Sequence, residues 1–243
     1  DIVKTEALNL RDKFADDRRT EITAVTGEVD IEDLIPEEET VMTLTKMGYI
    51  KRMPASEYHT QSRGGMGKKG MTTRAEDVAD SMFVCSSHDY VLFFSNFGRV
   101  YRLKAYEIPE GSRTGKGLNI VNILPLQADE KITVMLNVKE FDESAYLCMV
   151  TRKGVIKRTL LGSYNTSRKG GIIAINLDED DELRWVKLTS GNDDVLIATH
   201  MGKAIRFNEN DARPLGRTAR GVKAMNIADG DEVVGVAVVD DSK

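Results

Sequence analysis

One pattern recurs four times along the chain: a short apolar segment, a glycine, then a short basic segment. It occupies residues 41–52, 91–102, 146–158 and 195–206, with the glycines at Gly48, Gly98, Gly154 and Gly202. These glycines lie 50, 56 and 48 residues apart. Each copy reads as a β-hairpin whose glycine takes positive φ in a tight turn. A second glycine follows at a nearly fixed distance: Gly67, Gly117, Gly171 and Gly221 come 19, 19, 17 and 19 residues later. An arginine stands just before each one, at Arg63, Arg113, Arg168 and Arg217. Five residues past the glycine come Asn122, Asn176 and Asn226, then an acidic turn and another apolar segment. The first copy departs here, with Lys68, Lys69 and Gly70 in a longer, more basic loop.

A period near 50 with about four strands per unit predicts a mainly β fold, a β-propeller or β-pinwheel-like array. Helical repeats are excluded because the apolar segments are short or alternating and rich in Val, Ile, Phe and Tyr. Four blades are expected at about 40–90, 91–145, 146–194 and 195–243. Trp185 falls in a strand, where a packing role is expected. Lys51, Arg52, Lys157 and Arg158 sit on strands and are expected to face solvent.

Residues 1–26 lie outside the repeat. Val3, Ala7, Leu10 and Phe14 form one stripe of a short amphipathic helix that Asp1 is placed to cap. A stretch from Glu28 to Glu39 holds seven acids and no bases, which suggests an acidic linker over 27–39. No apolar run approaches the ~20 residues of a membrane helix, so no membrane partner is expected. Cys85 and Cys148 lie in apolar runs and read as buried thiols suited to a reducing cytoplasm. The three histidines lack metal-ligand spacing. No nucleotide-binding loop, nucleophile elbow or paired-carboxylate constellation is present, so no catalytic residue, metal or cofactor is assigned to the chain.

Charge is segregated. The whole chain has a net charge of −5, yet residues 46–74 hold seven Lys or Arg against one Glu. The four glycine loops carry Arg63, Lys68, Lys69, Arg113, Lys116, Arg168, Lys169, Arg217 and Arg220. One basic loop per blade offers a curved track for a polyanion. Phosphate contacts of this kind give affinity without reading base sequence, and glycines let backbone N–H groups approach phosphate. A protein-interaction propeller without a nucleic-acid role is the alternative of a different class; its rim would favour aromatic and apolar anchors.

The most specific segment is Gln61-Ser62-Arg63-Gly64-Gly65-Met66-Gly67. It resembles the seven-residue box Q-(R/K)-R-G-G-(R/K)-G of the A subunit of bacterial DNA gyrase, departing at Ser62 and Met66. Residues 6–22 resemble the end of that subunit's DNA-cleavage core, and the rest resembles its C-terminal DNA-wrapping domain. The resemblance implies that the chain is a fragment with four of the family's six blades and without the family's catalytic tyrosine. It also implies that each blade borrows a strand from a neighbour, so the last, lacking its successor here, is expected to show an unpaired edge or an irregular end within 222–239. It implies double-stranded DNA as partner, bent around the basic rim so that the enzyme introduces negative supercoils. Gln61, Arg63, Gly64, Gly65, Gly67, Lys68 and Lys69 are then DNA-binding, together with Arg113, Lys116, Arg168, Lys169, Arg217 and Arg220. It also implies two protein partners in an A2B2 complex: the rest of the A subunit, joined by the B subunit. ATP and Mg2+ would be used by that complex and not by this chain, in a bacterial cytoplasm at the nucleoid. The corresponding domain of topoisomerase IV, which shares the repeat, is the closest alternative.

Overall fold

The structure, a computed structural model, describes residues 1–16, 31–58, 77–112 and 114–239. It divides into two compact units, Asp1–Leu34 and Ile35–Lys243. The first holds helix α1 (Ile2–Phe14) and a 3-10 turn, Ile31–Leu34. Asp1 occupies the N-cap position, but its side chain makes no capping bond, and no residue of α1 is buried. The apolar stripe anticipated for this helix is therefore present and exposed, with Val3 and Phe14 80% and 76% accessible.

Among the described residues the second unit holds fifteen strands. In chain order they are β1 (Glu39–Thr45), β2 (Tyr49–Pro54) and β3 (Ala79–Ser86). Next come β4 (Tyr90–Ser95), β5 (Arg99–Lys104), β6 (Leu118–Asn119) and β7 (Ile132–Val138). The third group is β8 (Tyr146–Thr151), β9 (Val155–Leu160), β10 (Ile172–Ile173) and β11 (Leu183–Thr189). The last is β12 (Asp194–Thr199), β13 (Ala204–Asn208), β14 (Val222–Lys223) and β15 (Val233–Val239). They form four antiparallel sheets, ordered β3-β1-β2-β6, β10-β5-β4-β7, β11-β8-β9-β14 and β13-β12-β15. The mainly β, four-bladed reading of the sequence holds.

Each of the first three sheets is completed by a two-residue strand from the following repeat. The pairing is Tyr49 with Asn119 and Ile50 with Leu118, Val100 with Ile172 and Arg99 with Ile173, then Ile156 with Val222 and Val155 with Lys223. The fourth sheet has three strands, and among the described residues nothing pairs with the outer edge of β13. Residues 222–223 are donated to the third sheet, so the edge left without a donated strand is β13, at 204–208, while β15 (233–239), within the expected window, is the other terminal strand of this sheet.

The hairpin turns share one chemistry. Gly48, Gly98, Gly154 and Gly202 have φ of 81°, 71°, 79° and 82°. The residue after each turn glycine donates its N–H to a hydroxyl four residues back: Tyr49 to Thr45, Arg99 to Ser95, Val155 to Thr151 and Lys203 to Thr199. The acidic turns have a structural task here. Asp77, Asp181 and Asp231 accept the N–H of Met47, Lys153 and Met201, the residues just before the turn glycines. In the second blade Asn96 accepts instead from Lys131 N.

The core lies between blades. Leu44, Ile50, Phe93, Tyr101 and Ile120 pack across the first junction, Phe94, Leu147, Tyr164 and Ile175 across the second, and Val150, Ile156, Ile197 and Val233 across the third. Trp185 is partly buried against the third cluster. Cys85 and Cys148 are buried free thiols, and burial pushes the pKa of Cys148 up to about 12. Among the described residues no helix is long and apolar enough to cross a membrane.

Candidate nucleic-acid interface

Each donated strand brings its basic loop to the same place on the preceding hairpin. The glycine that opens the donated strand forces this approach. Gly171 has φ +74°, and a Cβ there would lie 2.5 Å from the ring of Tyr101. Gly221 has φ +101°, and its Cβ would lie 2.5 Å from Ile156 O. Gly117, with φ +81°, is packed in the same way on Ile50 O. Loop and strand are therefore one device, in which glycine permits contact and the short ladder fixes register.

The loop cations fall into two environments. Lys116, Arg168, Lys169 and Arg220 are exposed. Lys116 Nζ lies 5.4 Å from the centroid of the Tyr49 ring. Lys169 pairs with Glu107 at 3.3 Å and Arg220 with Asp178 at 2.8 Å. Exposed pairs of this kind contribute about 0–1 kcal/mol, so an incoming phosphate displaces them at little cost. Arg217 is half-buried, and its guanidinium donates to Ile173 O at 2.6 Å, which commits part of its capacity to the protein. Gln61, Arg63, Gly64, Gly65, Gly67, Lys68, Lys69 and Arg113 lie outside the described residues.

A second set of cations was missed from the sequence. Lys51 and Lys157 are 1% and 0% exposed and Arg158 is 4% exposed, so these strand cations do not face solvent as expected. Strand alternation alone does not reveal this, because the face they occupy is covered by the next repeat. Lys51 Nζ donates to Ser112 O and Gly115 O, each at 3.1 Å. Lys157 Nζ donates to Ala174 O at 2.5 Å and to Arg217 O. In the second blade Tyr101 takes the equivalent position and donates to Glu130, while Arg99 Nη2 reaches Gly170 O at 2.9 Å.

The residue after each of these also crosses a junction. Arg52 Nε donates to Ile108 O at 3.2 Å and Nη2 lies 3.6 Å from Glu110. Arg102 donates to Asn165 Oδ1 at 2.6 Å and stacks 4.6 Å over Tyr90. Arg158 donates to Asn210 Oδ1 at 2.9 Å, pairs with buried Glu209 at 3.3 Å and stacks 4.7 Å over Tyr146. The signal for these roles was their recurrence at the third and fourth positions past each turn glycine. Among the described residues no cluster of His, Cys, Asp and Glu suits a metal ion.

The DNA gyrase C-terminal domain, beta-propeller, family model matches residues 39–86, 89–139, 145–190 and 193–240. The A subunit of DNA gyrase from Clostridium acetobutylicum is 51% identical over 222 residues, which cover 91% of this chain and 27% of the relative. The chain thus spans about a quarter of the length of the curated relatives it matches. A crystal structure of the C-terminal domain of DNA topoisomerase IV overlays with a TM-score of 0.73 at 30% identity, covering 85% of this chain and 62% of that one. A DNA gyrase A C-terminal domain structure overlays with a TM-score of 0.65 at 32% identity, covering 83% and 65%.

Proposed function

The chain belongs to the DNA gyrase C-terminal domain family, and on that premise we propose that it binds duplex DNA through the phosphates and holds it bent along its glycine loops. The observation that carries this reading is the repetition of exposed cations at one structural position: Lys116, then Arg168 and Lys169, then Arg220, each in a loop docked on the preceding hairpin. Bending a 20–30 bp site by 40–90° costs on the order of 1–6 kcal/mol, which a single loop does not offset and a spaced array does. From the sequence, Gln61, Arg63, Gly64, Gly65, Gly67, Lys68 and Lys69 of the first repeat and Arg113 of the second are assigned to the same DNA-binding set.

In this reading the chain is the wrapping module of a bacterial, cytoplasmic type II topoisomerase. Strand cleavage falls to an upstream core of the A subunit, while ATP hydrolysis with Mg2+ falls to the B subunit of an A2B2 complex. The chain itself contributes binding and curvature, not chemistry. A salt-titrated gel shift on random-sequence duplex tests it. The expected result is a log–log slope of about −0.9 per phosphate contact. The absence of any shift at low salt overturns the reading and favours a protein-interaction array. The overlay on the topoisomerase IV domain supports a second reading, in which the chain is the corresponding domain of that enzyme. Circularisation of short DNA tests the bending itself, since a duplex bound straight gains no yield.

A further inference from the structure

We propose that Lys51 and Lys157 are positioning residues for the DNA-facing loops, each holding the basic loop of the next repeat by its carbonyls from beneath. The inference rests on the DNA-binding reading above and deepens it. Both side chains are too buried to touch a duplex. Lys51 touches two backbone carbonyls of the 112–117 loop, while Lys157 touches one carbonyl of the 216–221 loop, Arg217 O, and ties it to Ala174 O of its own repeat. Lys51 gathers the carbonyls of Ser112 and Gly115, and Gly115 N closes a turn onto the same Ser112 O at 3.0 Å. With those carbonyls held by the lysine, Thr114 and the Lys116 side chain of the loop are exposed. That pairing suits an anion.

The loop is also shaped around the lysine stem. A Cβ on Gly111 would meet Lys51 Cβ at 3.0 Å and Cδ at 3.2 Å, and one on Gly117 would meet Lys51 Cβ at 3.1 Å. Glycines at both ends thus let the backbone close over the side chain. Lys157 repeats the arrangement at the third junction, under Arg217 O, and both of its acceptors are carbonyl oxygens. The groups facing its ammonium are the Arg217 guanidinium from the loop and the Tyr164 hydroxyl, which shares Ala174 O at 3.1 Å. Across the second junction Tyr101 occupies the strut position and Arg99 holds Gly170 O from the loop side. The same task is there given to a different residue.

Lys51→Met and Lys157→Met test the proposal in the 243-residue chain. Methionine keeps most of the buried stem, and an apolar replacement of a buried charge is often tolerated. Lys187→Met, an exposed strand lysine, controls for the loss of one charge. Two measurements are made on each: amide exchange by mass spectrometry, and duplex binding across a salt series. The expected result is about tenfold faster exchange confined to 112–117 or 216–221, equivalent to about 1.4 kcal/mol, with strands β4 and β8 unchanged. The salt slope should fall by about 0.9 for each phosphate no longer engaged. The Lys187 variant should show neither change. Should Lys51→Met fail to fold, Gly111→Ala, whose methyl crowds the lysine stem, should raise exchange over 112–117. Unchanged exchange, or raised exchange with an unchanged slope, overturns the proposal. Failure of the parent chain to bind duplex at low salt overturns the DNA reading instead, and the exchange results stand apart from it.

Discussion

Glu209 is fully buried and fully used. It accepts from Thr189 Oγ1 at 2.7 Å, Gly191 N at 2.8 Å and Asp193 N at 2.9 Å, and it lies 3.3 Å from Arg158 of the preceding repeat. Glu209→Ala strands the arginine charge in the junction, and urea unfolding should show a loss of about 3–5 kcal/mol. Lys157 gives a pH-dependent case. Burial, then the Arg217 guanidinium, pulls its pKa from 10.5 down to about 8. Below about pH 8 both folded and unfolded chains carry the charge, and its burial cost is present in full. Between about 8 and 10.5 the unfolded chain binds more protons, so this residue makes stability rise with pH. Urea titrations at about pH 7 and about pH 10 should therefore show the parent gaining on Lys157→Met at the higher pH. Neither role was legible in the sequence, since a lysine in a strand is rarely buried. Burial here is created by a distant loop of the next repeat, as the Lys157 bond to Arg217 shows.

At the level of elements, glycines that look alike in sequence differ in cost, as Gly202 and Gly221 show. Gly202 has φ +82° and open space around it, so Gly202→Ala should cost the left-handed penalty alone, about 1–2 kcal/mol. At Gly221 the same substitution also drives a methyl into Ile156 O, 2.5 Å away, and should detach β14 from β9. Thermal unfolding of the two variants should rank them in that order, with faster amide exchange in β9 for Gly221→Ala only. The hairpins themselves were readable because a glycine turn between two apolar or basic runs is a local signal. The two-residue donated strands were not, because two residues carry no periodicity. The bare edge at β13 was not anticipated for the same reason: residues 222–223 look like part of the last blade and are given to the one before it. Sedimentation over a concentration series should show self-association of the chain through β13 that Ala204→Lys, an exposed edge position, suppresses.

For the whole molecule, the question is how curvature is shared along the track. The first repeat carries Arg63, Lys68 and Lys69 beside its three glycines. Replacing all three cations with Ala should lower circularisation of short DNA, at matched occupancy, more than it lowers affinity, because the later loops still hold a straighter duplex. An unchanged circularisation yield would show that the first loop is not the fastener. The number of blades was evident from the period of about fifty residues, and so was the fact that cations recur in it, but the order of the blades in space was not. How those cations divide into exposed contacts and buried supports depends on which repeat covers which, and that is a property of the assembled array alone.

Strand donation runs in one direction, since each of the first three sheets takes its fourth strand from the repeat that follows it. A growing chain emerging from the ribosome therefore never completes the blade it has just finished making. Every sheet waits, with one edge bare, until the loop of the next repeat has been synthesised and laid down. Folding during synthesis should advance with a lag of one repeat, always carrying a single sticky end forward. The basic loop that seals each edge is also the segment assigned to DNA, so a blade matures only as its neighbour's loop is seated.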